Sequence, residues 1–133
     1  MIRRVSIRYF KRFDDIAFDL SDHVILAGPN NSGKTTLLQA VVVWNLALQR
    51  WKVERPRRPK ARQRSGVPIT RKDFTAIPLR DMKALWTNMS TAMGKDEAEA
   101  EEGKAKAGYP RVMEIAIEGK THEKDWKLSF EFR

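Results

Sequence analysis

The sequence predicts an α/β fold in which a mixed, largely antiparallel sheet wraps around one helix. Three observations support this prediction. Apolar and polar residues alternate near both ends of the chain, as they do in strands that bury one face. Between these regions, an apolar helical stretch follows directly after a glycine-rich loop. With 133 residues, of which 41% are hydrophobic, the chain is long enough for one domain with a core of its own.

The first predicted element is a pair of strands near the N-terminus. Val5, Ile7 and Tyr9 alternate with polar residues, which is the spacing of a strand with one buried face. Residues 16–20 repeat that spacing after a polar turn at residues 10–15. The two strands are therefore expected to form a hairpin.

Residues 28–36, with the sequence Gly-Pro-Asn-Asn-Ser-Gly-Lys-Thr-Thr, match the pattern of a phosphate-binding loop. Gly28 and Gly33 allow the backbone to turn sharply and to approach an anion closely. Lys34 places an ammonium on the outer phosphates, and the Thr35 hydroxyl is the expected Mg²⁺ ligand. The expected binding residues are Gly28, Asn30, Asn31, Ser32, Gly33, Lys34, Thr35 and Thr36. The alternative is an ordinary glycine-rich turn before a core helix.

The elements that flank the loop support the phosphate-binding interpretation. Residues 23–27 predict a short buried strand that enters the loop, and residues 34 to about 51 predict a helix that leaves it. This helix is apolar around most of its circumference. Such a helix is either buried against several elements of its own chain or expects a partner that the chain does not supply.

The net charge of +9 is concentrated in one segment. From Arg50 to Lys72 the chain contains ten lysines and arginines and one acid, and Pro56 and Pro59 exclude a regular helix there. Residues 52–72 are therefore predicted to form a basic loop insertion. The segment from Arg50 to Lys72 either contacts the phosphate backbone of DNA or is a solvated surface loop.

The second half of the chain predicts one helix and two strands. Residues 79–93 carry apolar side chains at helical spacing, with a proline at the start and a glycine at the end. Residues 94–110 are predicted to be a mobile insertion. Residues 113–118 and 126–132 alternate as two strands joined by a polar turn. Because the last strand still alternates where the sequence stops, we expect the chain to be the N-terminal piece of a longer protein.

The first fifty residues resemble the N-terminal lobe of the SMC/RecF/RecN group of ABC-type ATPases, which includes the OLD-type ATPase–nucleases. The opening strand, followed by Phe10-Lys11-Arg12-Phe13, has the spacing of that family. The loop at residues 28–36 is similar to the family's Gly-Pro-Asn-Gly-Ser-Gly-Lys-Ser form. Asn31 replaces a glycine there, and asparagine is, next to glycine itself, the residue type that best tolerates a left-handed backbone. Beyond Trp51 the resemblance is one of architecture only.

The resemblance implies that residues 1–133 are part of an ATP-binding domain of a P-loop ATPase of the AAA or ABC type, with ATP and Mg²⁺ as cofactors. It implies that Lys11 and Arg12 lie near the nucleotide, although a solvated turn explains this pair equally well. It also implies a C-terminal ATPase lobe, in cis or in trans, and a nucleotide-dependent dimer of the parent protein. DNA repair, chromosome maintenance and defence are the processes that use such a lobe.

Two features of the family do not occur in the sequence: an apolar strand that ends in Asp-Glu, and a signature of the Ser-Gly-Gly type. The resemblance therefore provides no catalytic residue, and we expect negligible hydrolysis by this chain alone. His23 and His122 lie in predicted turns and are too far apart in sequence to suggest a metal pair.

Other classes of function are weighed against the ATPase lobe. The main alternative is a basic nucleic-acid-binding module whose phosphate loop does not hydrolyse nucleotides. A small phosphate-loop kinase is disfavoured, since the C-terminal half has antiparallel spacing. The chain has no cysteine, which excludes disulfides and thiolate metal sites and suits a cytoplasmic protein. The sequence shows no export signal and no apolar run that could span a membrane.

Overall fold

The computed structural model describes residues 1–54, 66–94 and 110–133. These residues form a four-stranded sheet and one long helix, which confirms the predicted α/β class. The strands are β1 (Ile2–Phe10), β2 (Phe13–Asp19), β3 (Met113–Thr121) and β4 (Lys124–Phe132). Their order in the sheet is β2-β1-β3-β4, and every pairing is antiparallel. Both predicted hairpins, β1–β2 and β3–β4, are confirmed.

The helix α1 (Lys34–Glu54) packs on the inner face of this sheet and runs slightly beyond its predicted end. Ile7 and Ile115 of the two central strands have no exposed surface, and neither have Ala40 and Val43 of the helix. Trp44 of α1 reaches β4, where its indole N–H donates to the carbonyl oxygen of Leu128 at 2.9 Å. The phosphate-loop motif is thereby joined to a helix with a fixed position on the sheet.

A second stripe of α1 is not covered by the part of the chain that the structure describes. Leu38 and Val42 lie on this stripe and expose 58% and 41% of their surface. A helix that is apolar almost all round is either buried against several elements of its own chain or expects a partner that the chain does not supply. The described residues bury one side of α1 and leave the side with Leu38 and Val42 in solvent.

The end of β1 departs from the predicted alternation. The spacing places Tyr9 on the buried face, but Tyr9 has a φ of 54° and is only half-buried. The next residue, Phe10, has no exposed surface and forms an isolated bridge with Trp86. A positive φ at Tyr9 thus turns Phe10 into the core in its place.

The predicted helix at residues 79–93 is wrong. The segment contains two short 3-10 turns, Met82–Leu85 and Thr87–Met89. Trp86 separates them in an extended conformation, with φ −84° and ψ 149°. Leu85, Trp86 and Thr87 are buried in succession, which a helix with one apolar face cannot achieve. The contacts of Trp86 with the rest of the fold therefore override the helical spacing, including a hydrogen bond from its indole N–H to the carbonyl of Arg111 at 2.9 Å.

The predicted buried strand at residues 23–27 is also wrong. These residues form no strand, and Val24, Ile25 and Leu26 are exposed, Ile25 to 92%. Consequently the sheet of the described residues is purely antiparallel and not mixed. A strand is held by hydrogen bonds to a neighbour, and no described strand pairs with this segment.

The outer face of the sheet carries charges that are paired with one another. These ion pairs, with N–O distances of 3.0, 3.7 and 2.9 Å, are Arg4–Asp19, Arg8–Asp15 and Lys127–Glu118. Exposed ion pairs add little stability each. Among the described residues, the alternating sign of these charges leaves this face without the basic patch expected of a nucleic-acid interface.

Most of both predicted insertions lies outside the described residues. The basic insertion at 52–72 includes residues 55–65, and the predicted mobile insertion at 94–110 includes residues 95–109. At the described margins of the basic segment, Arg50 donates to the carbonyl of Pro68 at 3.3 Å. Among the described helices, none has the length and apolar character needed to cross a bilayer.

Candidate functional site

The loop that precedes α1 contains three residues with positive φ. Gly28 and Gly33 have φ values of 150° and 101°. Asn31 has a φ of 67°, which is the left-handed backbone that an asparagine in place of glycine suggests. Within the loop, the N–H of Ser32 donates to the carbonyl of Pro29 at 3.3 Å. The loop is thus a sharp turn that leads directly into the helix.

Lys34, the first residue of α1, folds back over this loop. Its ammonium donates to the carbonyl oxygens of Gly28 and Pro29, at 2.6 and 2.7 Å, and to the hydroxyl of Ser32 at 3.2 Å. An ammonium has three protons to donate, so all three are directed at the loop. The charge of Lys34 is thereby held against the residues that the motif assigns to phosphate binding.

The N-terminus of α1 adds positive potential at the same place. The N–H of Leu37 donates to the carbonyl of Gly33 at 2.9 Å, which begins the hydrogen bonds of the helix. The N–H groups of residues 34–36 have no carbonyl of a preceding helical turn to bond to. The first turn contains no acidic residue. No carboxylate there neutralises the positive end of the helix dipole.

These residues fit ATP with Mg²⁺. A Cβ built on Gly28 would lie 3.0 Å from the Ser32 hydroxyl, and the φ of 150° at Gly28 would strain any side chain at that position. Lys34 and the start of α1 supply the donors that phosphate oxygens require. Thr35 is exposed and offers one oxygen to the metal, whose other ligands would be phosphate oxygens and water. In the described part of the chain, no group of three or more His, Asp or Glu residues could hold a metal ion.

The turn between β1 and β2 contacts the loop at Gly33. A Cβ built on Gly33 would lie 2.8 Å from Cζ of Phe13 and 3.5 Å from Cδ of Arg12. Gly33 is buried beneath these side chains. Of the two basic residues in this turn, Arg12 is therefore the one whose side chain lies beside the loop.

The side chain of Lys11 is directed at the helix. Its ammonium donates to the side-chain oxygen of Gln39 at 2.6 Å, and its backbone N–H donates to the carbonyl of Leu85 at 2.8 Å. Burial in this position lowers the pKa of the Lys11 ammonium from its ordinary value of 10.5. Lys11 and Arg12 are adjacent in sequence, but their side chains have different surroundings.

We expect Lys11 to lose its proton at a lower pH in the folded chain than in the chain unfolded by urea. Burial disfavours the charged form, whereas the unfolded chain leaves the ammonium in water. Between the two pKa values the unfolded chain binds more protons, so the contribution of Lys11 to stability rises with pH through that window. Side-chain NMR titration of folded and unfolded protein measures both midpoints.

A matched variant is Gln39→Ala, which removes the acceptor that favours the charged ammonium. The midpoint of Lys11 should then fall further. Equal midpoints in folded and unfolded protein would contradict the burial of this ammonium.

The sequence does not predict two residues of the site, Phe13 and Gln39. The signal for Phe13 is an aromatic residue in a polar turn, which indicates packing against a part of the chain that is distant in sequence. Gln39 gave no sign, because its contact with Lys11 joins two elements whose relative position depends on the whole fold. The two histidines follow their prediction, since His122 lies in the β3–β4 turn and His23 in a bend.

Comparison with known proteins agrees with this geometry. A family model described as an AAA ATPase domain matches residues 1–102. The match includes β1, β2, the loop with positive φ values and α1. No curated protein matches the chain. The family match supports nucleotide binding as a function of this domain.

Proposed function

Because the chain belongs to the AAA ATPase domain family, we propose that residues 28–36 bind ATP together with Mg²⁺. The observation that supports this most directly is the position of the Lys34 ammonium, within 2.7 Å of two loop carbonyls at the start of a helix without first-turn acids. The Thr35 hydroxyl is the proposed Mg²⁺ ligand. The other proposed nucleotide contacts are Gly28, Asn30, Asn31, Ser32, Gly33 and Thr36.

Binding would exchange the present partners of Lys34 for phosphate oxygens. A hydrogen bond between two charged groups is stronger than one between an ammonium and a neutral carbonyl. The exchange is therefore favourable, and the carbonyls of Gly28 and Pro29, both exposed residues, can be hydrated when Lys34 leaves them. The neighbouring Arg12 adds a second cation beside Gly33. Lys11 would have to give up its hydrogen bond to Gln39 to reach the nucleotide, so we assign it the weaker role.

We further propose that this lobe belongs to an SMC/RecF-like ATPase that acts in DNA repair, chromosome maintenance or defence. In this proposal a second ATPase lobe, in cis or in trans, supplies the catalytic base and the signature that covers the nucleotide. The exposed apolar residues Val24, Ile25 and Leu26 and the exposed stripe of α1 support a further sheet packing there. Hydrolysis would then require the complete pair of lobes, by positioning and charge neutralisation of the phosphates.

The test is isothermal titration calorimetry of this chain with ATP, with and without Mg²⁺, combined with a phosphate-release assay. We expect Mg²⁺-dependent binding without release of phosphate. Turnover by the pure chain would contradict the assignment of the base to a second lobe. Lack of binding by a folded chain would contradict the nucleotide site.

The alternative is a basic nucleic-acid-binding module, which rests on the ten basic residues from Arg50 to Lys72. Charge reversal of Arg71 and Lys72, at the described margin of this segment, is the discriminating change. If it abolishes binding to duplex DNA while Lys34→Ala leaves that binding intact, the nucleic-acid function gains support. If neither variant changes DNA binding, Arg71 and Lys72 are not part of a nucleic-acid interface.

A further inference from the structure

We propose that the free edge of β4 is a dimerisation surface, at which two copies of this chain join their sheets by antiparallel β4–β4 pairing centred on Ser129. β4 is the last strand of the sheet, and no strand of the described residues lies on its other side. Its pairing with β3 continues over nine residues without a shift in register. Such a long and regular edge is a template for a further strand.

The hydrogen-bond pattern shows which groups of β4 point to the free edge. The N–H of Lys120 on β3 donates to the carbonyl of Met1, away from β4, so the pair of Lys120 with Asp125 is not hydrogen-bonded. Bonded and non-bonded pairs alternate along an antiparallel ladder. The pair of Ala116 with Ser129 is therefore also non-bonded, and the N–H and C=O of Ser129 point outward.

The charges of β4 are complementary to those of a second β4 in this register. A two-fold axis at Ser129 places Lys127 opposite the partner's Glu131, and Asp125 opposite the partner's Arg133. Each pair occurs twice by symmetry. A register centred one residue earlier, at Leu128, would place Asp125 opposite the partner's Glu131, which are like charges. Charge therefore selects the register at Ser129.

The apolar side of β4 agrees with the same register. Trp126, Leu128, Phe130 and Phe132 face the core side of the sheet and are only half-buried. Pairing at Ser129 sets Trp126 beside the partner's Phe132 and Leu128 beside the partner's Phe130. Aromatic and aliphatic cross-strand pairs of this kind stabilise a sheet. β4 also contains no proline, and Lys124, its one charged residue on the core side of the sheet, lies beside the turn and outside the stretch that pairs in this register.

This interface is independent of the nucleotide site. It forms without ATP and is unchanged by Lys34→Ala, in contrast to the nucleotide-dependent dimer proposed for the parent protein. A chain that does not bind ATP would still form the β4 interface, and a chain that does not dimerise would still bind ATP.

The decisive experiment is a charge exchange read by analytical ultracentrifugation over a dilution series without nucleotide. We expect the wild-type chain to be in monomer–dimer equilibrium. Lys127→Glu and Glu131→Lys should each weaken the dimer about tenfold or more, since two attractive pairs become repulsive. The double variant, K127E with E131K, should recover it. In the monomer Lys127 pairs with Glu118 at 2.9 Å and Glu131 with Arg133 at 3.1 Å, and dimerisation would add the partner's charge to each pair. The side chains of Lys127 and Glu131 are 60% and 55% exposed, and exposed ion pairs contribute little stability, so these changes leave the monomer folded.

A second experiment tests the position of the axis. Two Ser129→Cys chains should form a disulfide across the axis, because bonded antiparallel pairs have Cα atoms about 5.5 Å apart, within the range for a disulfide. The chain has no cysteine of its own. Ala17→Cys, exposed on the other edge strand, is the matched control and should remain unlinked. A wild-type chain that is monomeric throughout, or single charge variants that dimerise as the wild type does, would overturn the proposal.

Discussion

Replacement of Lys34 by alanine will reduce the affinity for ATP with Mg²⁺ by about 100-fold or more. Hydrogen bonds to charged groups are worth about 1.5–3 kcal/mol each, and two such bonds to phosphate correspond to about 3–6 kcal/mol. Lys34 is the only residue of the loop motif that brings a full positive charge. The remaining backbone donors and the helix dipole cannot replace it. Calorimetric titration of both proteins with ATP and Mg²⁺ measures the difference.

The matched control for this variant is Lys52→Ala. Lys52 lies on the same helix, near the end away from the loop, and is exposed. Lys52→Ala removes the same charge from the chain as Lys34→Ala does, so a general effect of net charge on ATP affinity would appear in both variants. We expect Lys52→Ala to bind ATP as the wild type does, and both variants to retain the circular dichroism of the folded chain. Equal affinities for wild type and Lys34→Ala would mean that the phosphates are bound elsewhere.

The elements that the sequence predicts correctly are those whose pattern and partner lie in the same described region. β3 and β4 alternate with period two, and each finds the other across a two-residue turn at His122 and Glu123. Both turn residues have positive φ, at 46° and 67°, as the tight turns of hairpins require. The β1–β2 hairpin follows the same logic. Local pattern and short connection together determine such an element.

The elements that the sequence mispredicts depend on contacts distant in the chain. The apolar residues of 79–93 have helical spacing, yet Trp86 is extended, bridges to Phe10 and donates to the carbonyl of Arg111. Residues 23–27 have the composition of a buried strand but no strand partner among the described residues. The spacing of apolar residues shows which side chains favour burial, but it does not show which elements of the fold pack against them.

The candidate site is predictable from its motif to a limited depth. The motif predicts the positive φ values of Gly33 and Asn31 and the proximity of Lys34 to the loop. The motif does not predict the contact of Phe13, which belongs to the β1–β2 hairpin, with Gly33. The motif also does not predict that the side chains of Lys11 and Arg12 have different surroundings. The directions of two adjacent side chains in a turn depend on what the fold places on each side of that turn. The conformation of the loop thus follows from the local sequence, whereas the packing of Phe13 against it depends on the tertiary fold.

Gly33→Ala will lower the free energy of unfolding by about 2–5 kcal/mol. The residue has a φ of 101°, which costs a side chain about 1–3 kcal/mol. A methyl group there would also lie 2.8 Å from Cζ of Phe13, and overpacking of this kind costs about 1–3 kcal/mol. ATP affinity should fall as well, since relief of the contact must move either the loop or the hairpin. Urea denaturation gives the first quantity and calorimetry the second.

The control for backbone entropy is Gly66→Ala. Among the described residues, no heavy atom other than those of Gly66 and its chain neighbours lies within 4 Å of its Cβ position, so its replacement should change stability by less than about 0.5 kcal/mol. The double variant Gly33→Ala with Phe13→Leu distinguishes the two causes. If the ring contact matters, the double variant loses less stability than the sum of the single variants, because the shorter side chain makes room for the methyl group while the strained φ remains. Strictly additive losses would assign the whole effect to the backbone at Gly33 and would leave Phe13 without a role in supporting the loop.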